Sequence, residues 1–423
     1  MSECEKSYEC RSGVKIYSYK NPSLHSFGIS LFLRAGSVFE GERESGITHF
    51  LEHALIRNVN KLEGGKMYSR LDRLGIEFNA GTYSEMVQFY TGGSVGHFDF
   101  AADMLTKLLS PIVLSAQEID AERRRIKAEI RENDDKTSLA TFSSSVVYEG
   151  TPLARSIVGT NSSVDAITVR RLEEYRRRVC TSGGMFFYVS GNFTDEDIKT
   201  LARFIDGYDI PVAPAPKNAP VVPKLFGSRP DDVYIKNADF TMVRFSFDLD
   251  MTALGVPVTD ILYDMLLTGY SSRMFMEMSE KRGLFYDVTG AMERFLNIGT
   301  FYFTFEVKER DVYEAIELVC DILNSFKSDI TEQDCIRAGY VDNAMMLYDD
   351  QREMNFTYAY DNHIMGLGYA TVEQRRSAYS SVSAENVMNA ADKIFRRENL
   401  TLTMKANKKR INKDRILEIL RRL

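Results

Sequence analysis

Apolar and polar residues alternate through "SFGISLFLRAGSVF" (26–39), the period of two that lays one face of a strand on a core. The spacing then turns helical in "SGITHFLEHALIR" (45–57) and "MYSRLDRLG" (67–75). It returns to strands in "IEFNAGTYSEMVQFYTGGSV" (76–95) and closes on a helix over "HFDFAADMLTKLLS" (97–110). The same succession recurs downstream. A strand over "FTMVRFSFDLDM" (240–251) leads to helices over "PVTDILYDMLLTG" (257–269) and "RMFMEMSEKRG" (273–283). Strands over "LFYDVTGAMERF" (284–295) and "GTFYFTFEV" (299–307) follow, then a helix over "RDVYEAIELVCDILNSF" (310–326).

Each series next reaches a capped helix. Ser115 followed by Glu118 reads as a capping box, and Thr331 followed by Asp334 as a near relative. Element order is matched in the two series, with comparable spacing around Gly75 and Gly283, and an internal duplication explains it most economically. Strand runs interleaved with helix pairs, rather than strict βαβ alternation, predict an α+β fold. It has two related halves, each a mainly antiparallel sheet packed with helices.

Six of the ten prolines fall within "IPVAPAPKNAPVVPKLFGSRP" (210–230). Proline at that density suits neither helix nor central strand, so the stretch reads as a semi-rigid linker. The predicted domains are therefore 1–209 and 231–423, joined by 210–230.

Composition narrows the class. At 423 residues the chain fits two to three domains, and its 44% apolar and 27% charged residues are those of a globular protein. No run of about eighteen apolar residues and no apolar signal region is present, which predicts a soluble, cytoplasmic protein without membrane association. Cys4, Cys10, Cys180, Cys320 and Cys335 are odd in number and scattered, so neither a disulfide framework nor a thiolate zinc site is expected. A net charge of −7 argues against nucleic-acid binding. The basic runs "EEYRRRVC" and "KANKKRINKDRILEILRRL" sit among helical apolar positions and read as solvated helix faces.

The candidate chemistry lies in "HFLEH". Positions i and i+4 share a helix face, so His49 and His53 can address one ion, and Glu52 lies close to the same face. A catalytic zinc takes three protein ligands and leaves a position open for water, with a carboxylate nearby to accept a proton. The other three histidines are poorly placed, so a carboxylate is expected as third ligand. The helix over "SAQEIDAERRRIKAEIREND" offers Glu122 and Glu129, two turns apart on one face.

These residues resemble the M16 (pitrilysin, or insulinase-like) metallopeptidases, whose signature is the inverted H-x-x-E-H motif followed by a distant glutamate. "GSVFEGERESGITHFLEHALIR", "LGIEFNAGTY", "VGTNSSVDAI" and "SSRMFMEMSEKRGLFYDV" look like family blocks in family order, over nearly the whole chain. The resemblance implies a LuxS/MPP-like metallohydrolase fold, as in the short processing-peptidase-like members. His49, His53 and Glu129 would bind Zn2+, Glu52 would act as general base, and Glu122 would be a supporting glutamate. Asn79, Ala80 and Thr82 would form an edge strand for an extended peptide, and Tyr286 would contact substrate. The implied function is a zinc endopeptidase cleaving extended or unfolded peptides in a chamber between domains or subunits, as a homodimer or a heterodimer with a homologous subunit. One alternative is the catalytic subunit of a leader- or presequence-processing pair; another is a structural or assembly homologue without catalysis. The second half carries no H-x-x-E-H in "PVTDILYDMLLTG" and is expected to be silent. One departure stands out: Ser279 occupies the position, seven before Tyr286, where the family commonly has an arginine, with Arg282 nearby.

Overall fold

The computed structural model describes residues 4–132, 138–216, 228–284, 288–295, 297–335 and 337–423. The chain forms two compact units, neither built from one continuous stretch. The first comprises Met1–Glu132, Arg155–Pro220 and Ala344–Gln374; the second comprises Asn133–Ala154, Val221–Asn343 and Arg375–Leu423.

The first unit is built on six strands: β1 (Lys6–Glu9), β2 (Lys15–Lys20), β3 (Ser26–Leu33), β4 (Glu77–Thr82), β5 (Val87–Ser94) and β6 (Met185–Gly191). Their spatial order is β1-β2-β6-β3-β5-β4, antiparallel throughout except for β2 against β6. Phe27, Ile29, Leu31 and Leu33 of β3 join Phe187 and Val189 of β6 in a core with Phe50, Leu51 and Leu55 of the helix Ile47–Leu62. The alternation in β3 predicts one buried face, yet β3 is buried on both. Phe32, Phe186 and Tyr188 point the other way, onto Met354 and Tyr358 of the helix Gln351–Ala359. That helix comes from far downstream, so the extra cover leaves no mark in the local pattern. Asn355, fully buried against the sheet, accepts from Ser30 Oγ at 2.6 Å and donates to the Tyr188 carbonyl at 3.0 Å, which satisfies its amide there.

The second unit has five strands: β7 (Arg229–Asn237), β8 (Met242–Asp250), β9 (Val288–Arg294), β10 (Ile298–Glu306) and β11 (Leu400–Ala406). Their order is β7-β11-β8-β10-β9, and only β7 against β11 is parallel. Replacing β2, β3, β4, β5 and β6 by β7, β8, β9, β10 and β11 converts the first sheet, less β1, into the second. The duplication read from the sequence is thus a duplication of topology, down to the one parallel pair. Gly75 and Gly283 follow equivalent helices with φ of 62° and 60°, the left-handed conformation that glycine adopts without a Cβ penalty.

Several local expectations are modified. Ser115 and Glu118 form the expected reciprocal bonds, with the Ser115 N–H donating to Glu118 at 2.7 Å. Thr331 and Asp334 instead close a turn at 2.7 Å, and the helix that follows is Arg337–Asp349. Within 273–283 the helix is a π-helical turn, Phe275–Glu280. In "EEYRRRVC" Arg177 and Arg178 are solvated as expected, but Arg176 is buried and bridges Glu173 to the Leu109 carbonyl at 2.9 Å. The start of the proline-rich stretch is tied down, since Ser182 and Gly183 N–H groups donate to the Pro211 and Ala213 carbonyls, both at 3.0 Å.

Asp248 on β8 is buried, and its carboxylate accepts the Ser228 N–H at 2.9 Å. Burial pushes its pKa from the ordinary 3.8 up to about 7, against the pull of that bond and of Arg229. Between those two values the folded chain keeps a proton that the unfolded chain has lost, so this group makes stability fall as pH rises from about 4 to about 7. Asp248→Asn should therefore gain on the wild type between pH 5 and pH 8, on the order of 1–4 kcal/mol. Urea denaturation at the two values measures this, and an unchanged difference would show that Asp248 is ionised in the fold.

Candidate metal centre and active site

The helix Ile47–Leu62 begins at a point with little freedom. Gly46 has φ of 83°, and a Cβ there would lie 2.8 Å from Gly159 Cα and from the Val158 carbonyl oxygen. Gly159, itself left-handed at 77°, has the mirror problem against the Ser45 carbonyl, at 2.7 Å. Two glycines are thus what lets the two backbones touch. The first turn is capped from upstream: the buried Glu40 carboxylate accepts from Gly46 and Thr48 N–H groups, both at 2.9 Å. A carboxylate there answers the free N–H groups and the positive end of the helix.

From that start, His49, Glu52 and His53 follow on one flank. His49 Nε2 lies 3.5 Å and His53 Nε2 3.7 Å from the same oxygen, Oε2 of Glu129, on the helix Ala116–Glu132. One donor atom from each of the three falls within 4.8 Å of the others, and among the described residues they are the single His/Cys/Asp/Glu group so arranged. Tetrahedral zinc with bonds near 2 Å separates its ligand atoms by about 3.3 Å, so the spacing fits such an ion.

Burial, then the neighbouring His53, pushes the His49 pKa down to about 4, which leaves a neutral imidazole, the form that ligates metals. Its buried Nδ1 has no hydrogen-bond partner among the described residues. His53 behaves oppositely: burial disfavours its charge, but the bond it donates to Glu122 and the carboxylates of Glu129 and Glu52 outweigh that and raise its pKa. Its Nδ1 lies 3.2 Å from Glu122 Oε2, while Arg57 grips Glu122 Oε1 and Arg125 stands 3.6 Å from Oε2. Glu122 is 3% exposed on a helix that otherwise reads as surface. Burial opposes its charge, yet His53 and Arg57 hold its pKa below the usual carboxylate range. A carboxylate behind a ligand-type histidine fixes its tautomer and ring orientation.

Glu52 is buried beside this group. Burial raises its pKa, partly offset by a 2.5 Å bond donated by the Thr82 hydroxyl. Thr82 ends β4, the outermost strand of its sheet, so Asn79, Ala80 and Thr82 do lie on an edge. Asn79 Oδ1 accepts from the Ala80 N–H at 2.9 Å and so covers one main-chain donor. Tyr286 lies outside the described residues. Ser279 belongs to the turn Phe275–Glu280, and Arg282 faces Glu314 at 3.8 Å. Arg57, Glu40 and the Thr82–Glu52 bond were not anticipated. Arg57 was legible in principle, since positions 49, 53 and 57 continue one helical face; the other two depend on tertiary contact.

The duplicated α+β architecture thus gathers two imidazoles, a carboxylate and a buried glutamate on one unit. Residues 15–161 match the family model for insulinase (peptidase family M16), and residues 166–338 match that for the peptidase M16 inactive domain. The chain belongs to the M16 peptidase family. An uncharacterized zinc protease of Rickettsia felis is 24% identical over 421 residues, covering 91% of this chain and 93% of that protein. Another, YmxG of Bacillus subtilis, is 21% identical, covering 92% and 95%. In fold the chain is similar to a protease from Helicobacter pylori, with a TM-score of 0.83 at 16% identity over 96% of this chain and all of that one.

Replacing Gly46 by alanine should cost about 1–3 kcal/mol, from the left-handed backbone and the contact with residues 158–159. A denaturation midpoint equal to wild type would mean that the helix start is free to adjust.

Proposed function

We propose that this chain is a zinc-dependent endopeptidase acting on extended peptides. The observation that carries this is the convergence of His49, His53 and Glu129 donor atoms within 4.8 Å beside a buried Glu52. In this reading those three residues hold Zn2+, and a peptide pairs with β4 as an added strand, displacing the Asn79 amide from the Ala80 N–H. Bound zinc supplies the Lewis acidity that lets water lose a proton near neutral pH. Glu52 would accept that proton as the water oxygen bonds to the carbonyl carbon, and return it to the leaving amine nitrogen as the C–N bond breaks, giving a carboxyl and an amine terminus. Thr82, on the strand that carries the substrate, donates to Glu52 Oε2 and so holds the carboxylate in one orientation. Glu122 and Arg57 position His53 rather than react.

The departure at Ser279 favours a second reading in which the chain acts with a homologous partner as a leader- or presequence-processing enzyme, the partner supplying substrate contacts. A homodimer is the simpler assembly. Among the described residues no helix is long and apolar enough to cross a membrane, and Cys10, Cys180, Cys320 and Cys335 are buried free thiols, which suit a reducing cytoplasm.

Metal analysis of the purified chain should find about one zinc per molecule. Glu52→Gln should keep the metal and lower cleavage of an unstructured peptide by about 10²–10⁴-fold. Glu122→Gln should weaken zinc affinity about 10–100-fold, read by chelator competition. A zinc-free wild type would contradict the catalytic reading. Zinc bound but cleavage seen only with an added homologous subunit would select the processing-pair reading.

A further inference from the structure

Strand β4 is a ridge between two cavities. On one side lies the cavity of about 600 Å³ that contains Glu52 and His53, with Phe78, Asn79 and Ala80 on its wall, so that Asn79 and Ala80 border both cavities. On the other lies a second cavity of about 240 Å³, bounded by Asn79, Ala80 and Gly81 of the strand, by Tyr83, Gln88 and Tyr90, and by Arg352, Glu353 and Phe356 of the helix Gln351–Ala359. A peptide added to β4 projects successive side chains to opposite faces of the sheet. Alternate residues would therefore enter the two cavities. The second cavity plays no part in the chemistry proposed above.

Its walls suggest what it accepts. Tyr83 and Phe356 pack against each other, with ring centroids 5.8 Å apart and the planes tilted by 45°, and together form an aromatic wall of the cavity. Arg352 is not free to bind an anion: its guanidinium pairs with Glu77 at 2.7 Å and lies over the Tyr90 ring at 5.6 Å. The exposed Glu353 carboxylate has no ion pair or hydrogen bond with any described residue, although its backbone N–H is taken by Asp350. An aliphatic stem against aromatic rings with a cationic head at a carboxylate is the arrangement that suits lysine or arginine. We propose that this cavity is a side-chain subsite selective for a basic residue of the bound peptide, with Glu353 as the charge-reading group. The inference rests on the endopeptidase reading with β4 as the peptide-binding edge.

The test uses a set of otherwise identical unstructured peptides that carry Lys, Ala or Glu at each position in turn. With zinc-loaded wild type, Lys should be preferred over Glu by about five-fold in kcat/KM at one position, the scale of a partly exposed ion pair. Glu353→Lys should invert that preference and Glu353→Gln should level it, with thermal melts confirming that both variants are folded. The same peptides, fluorescently labelled, are also titrated onto the zinc-loaded Glu52→Gln chain, with and without Glu353→Lys. Cleavage or binding without charge preference at any position, or with a preference untouched by Glu353→Lys, overturns the subsite. Charge-selective binding that Glu353→Lys reverses, with no cleavage by wild type, upholds the subsite while rejecting the endopeptidase reading; absence of both rejects the two together.

Discussion

The contact on which the site depends is the pairing of Glu122 with His53 and Arg57. A carboxylate 3% exposed is destabilising unless its lone pairs are satisfied. Glu122 meets that need by spanning from its own helix to two residues one turn apart on the helix Ile47–Leu62. This fixes the register of the two helices. Two turns further along, Glu129 then falls between the imidazoles of His49 and His53. The ligand-type cluster is a consequence of that docking, and Arg125 reinforces it from the same helix.

Much of this was legible in the sequence because it is periodic. The i, i+4 spacing of His49 and His53, the seven-residue spacing of Glu122 and Glu129, and the repeated order of elements depend only on local geometry, and they reappear in the fold. What was not legible is carried by chain segments distant in sequence. Nothing in the alternation of β3 signals that residues 344–374 cover its second face. Nothing around Arg176 or Glu122 signals burial, because a charged residue becomes internal only when a remote partner neutralises it. The Thr82–Glu52 bond likewise joins residues thirty apart, across a helix and a strand edge.

The two units show how one topology carries different chemistry. Equivalent strands repeat down to the single parallel pair, so the scaffold itself does not distinguish them. The difference lies in side chains grafted onto it: the first unit has "HFLEH" on the helix after its β3, whereas the corresponding "PVTDILYDMLLTG" of the second supplies no histidine. In the second unit Asp260 of that helix instead pairs with Arg294 and accepts from the Tyr379 hydroxyl at 2.5 Å, a structural use of a similar position.

X-ray absorption at the zinc edge tests the central claim most directly, because it reads the donor atoms themselves. The account predicts a shell of nitrogen and oxygen near 2 Å containing two imidazoles and no sulfur, reduced to one imidazole in His49→Ala. A sulfur-containing shell, or a shell unchanged by His49→Ala, would place the metal elsewhere and contradict it.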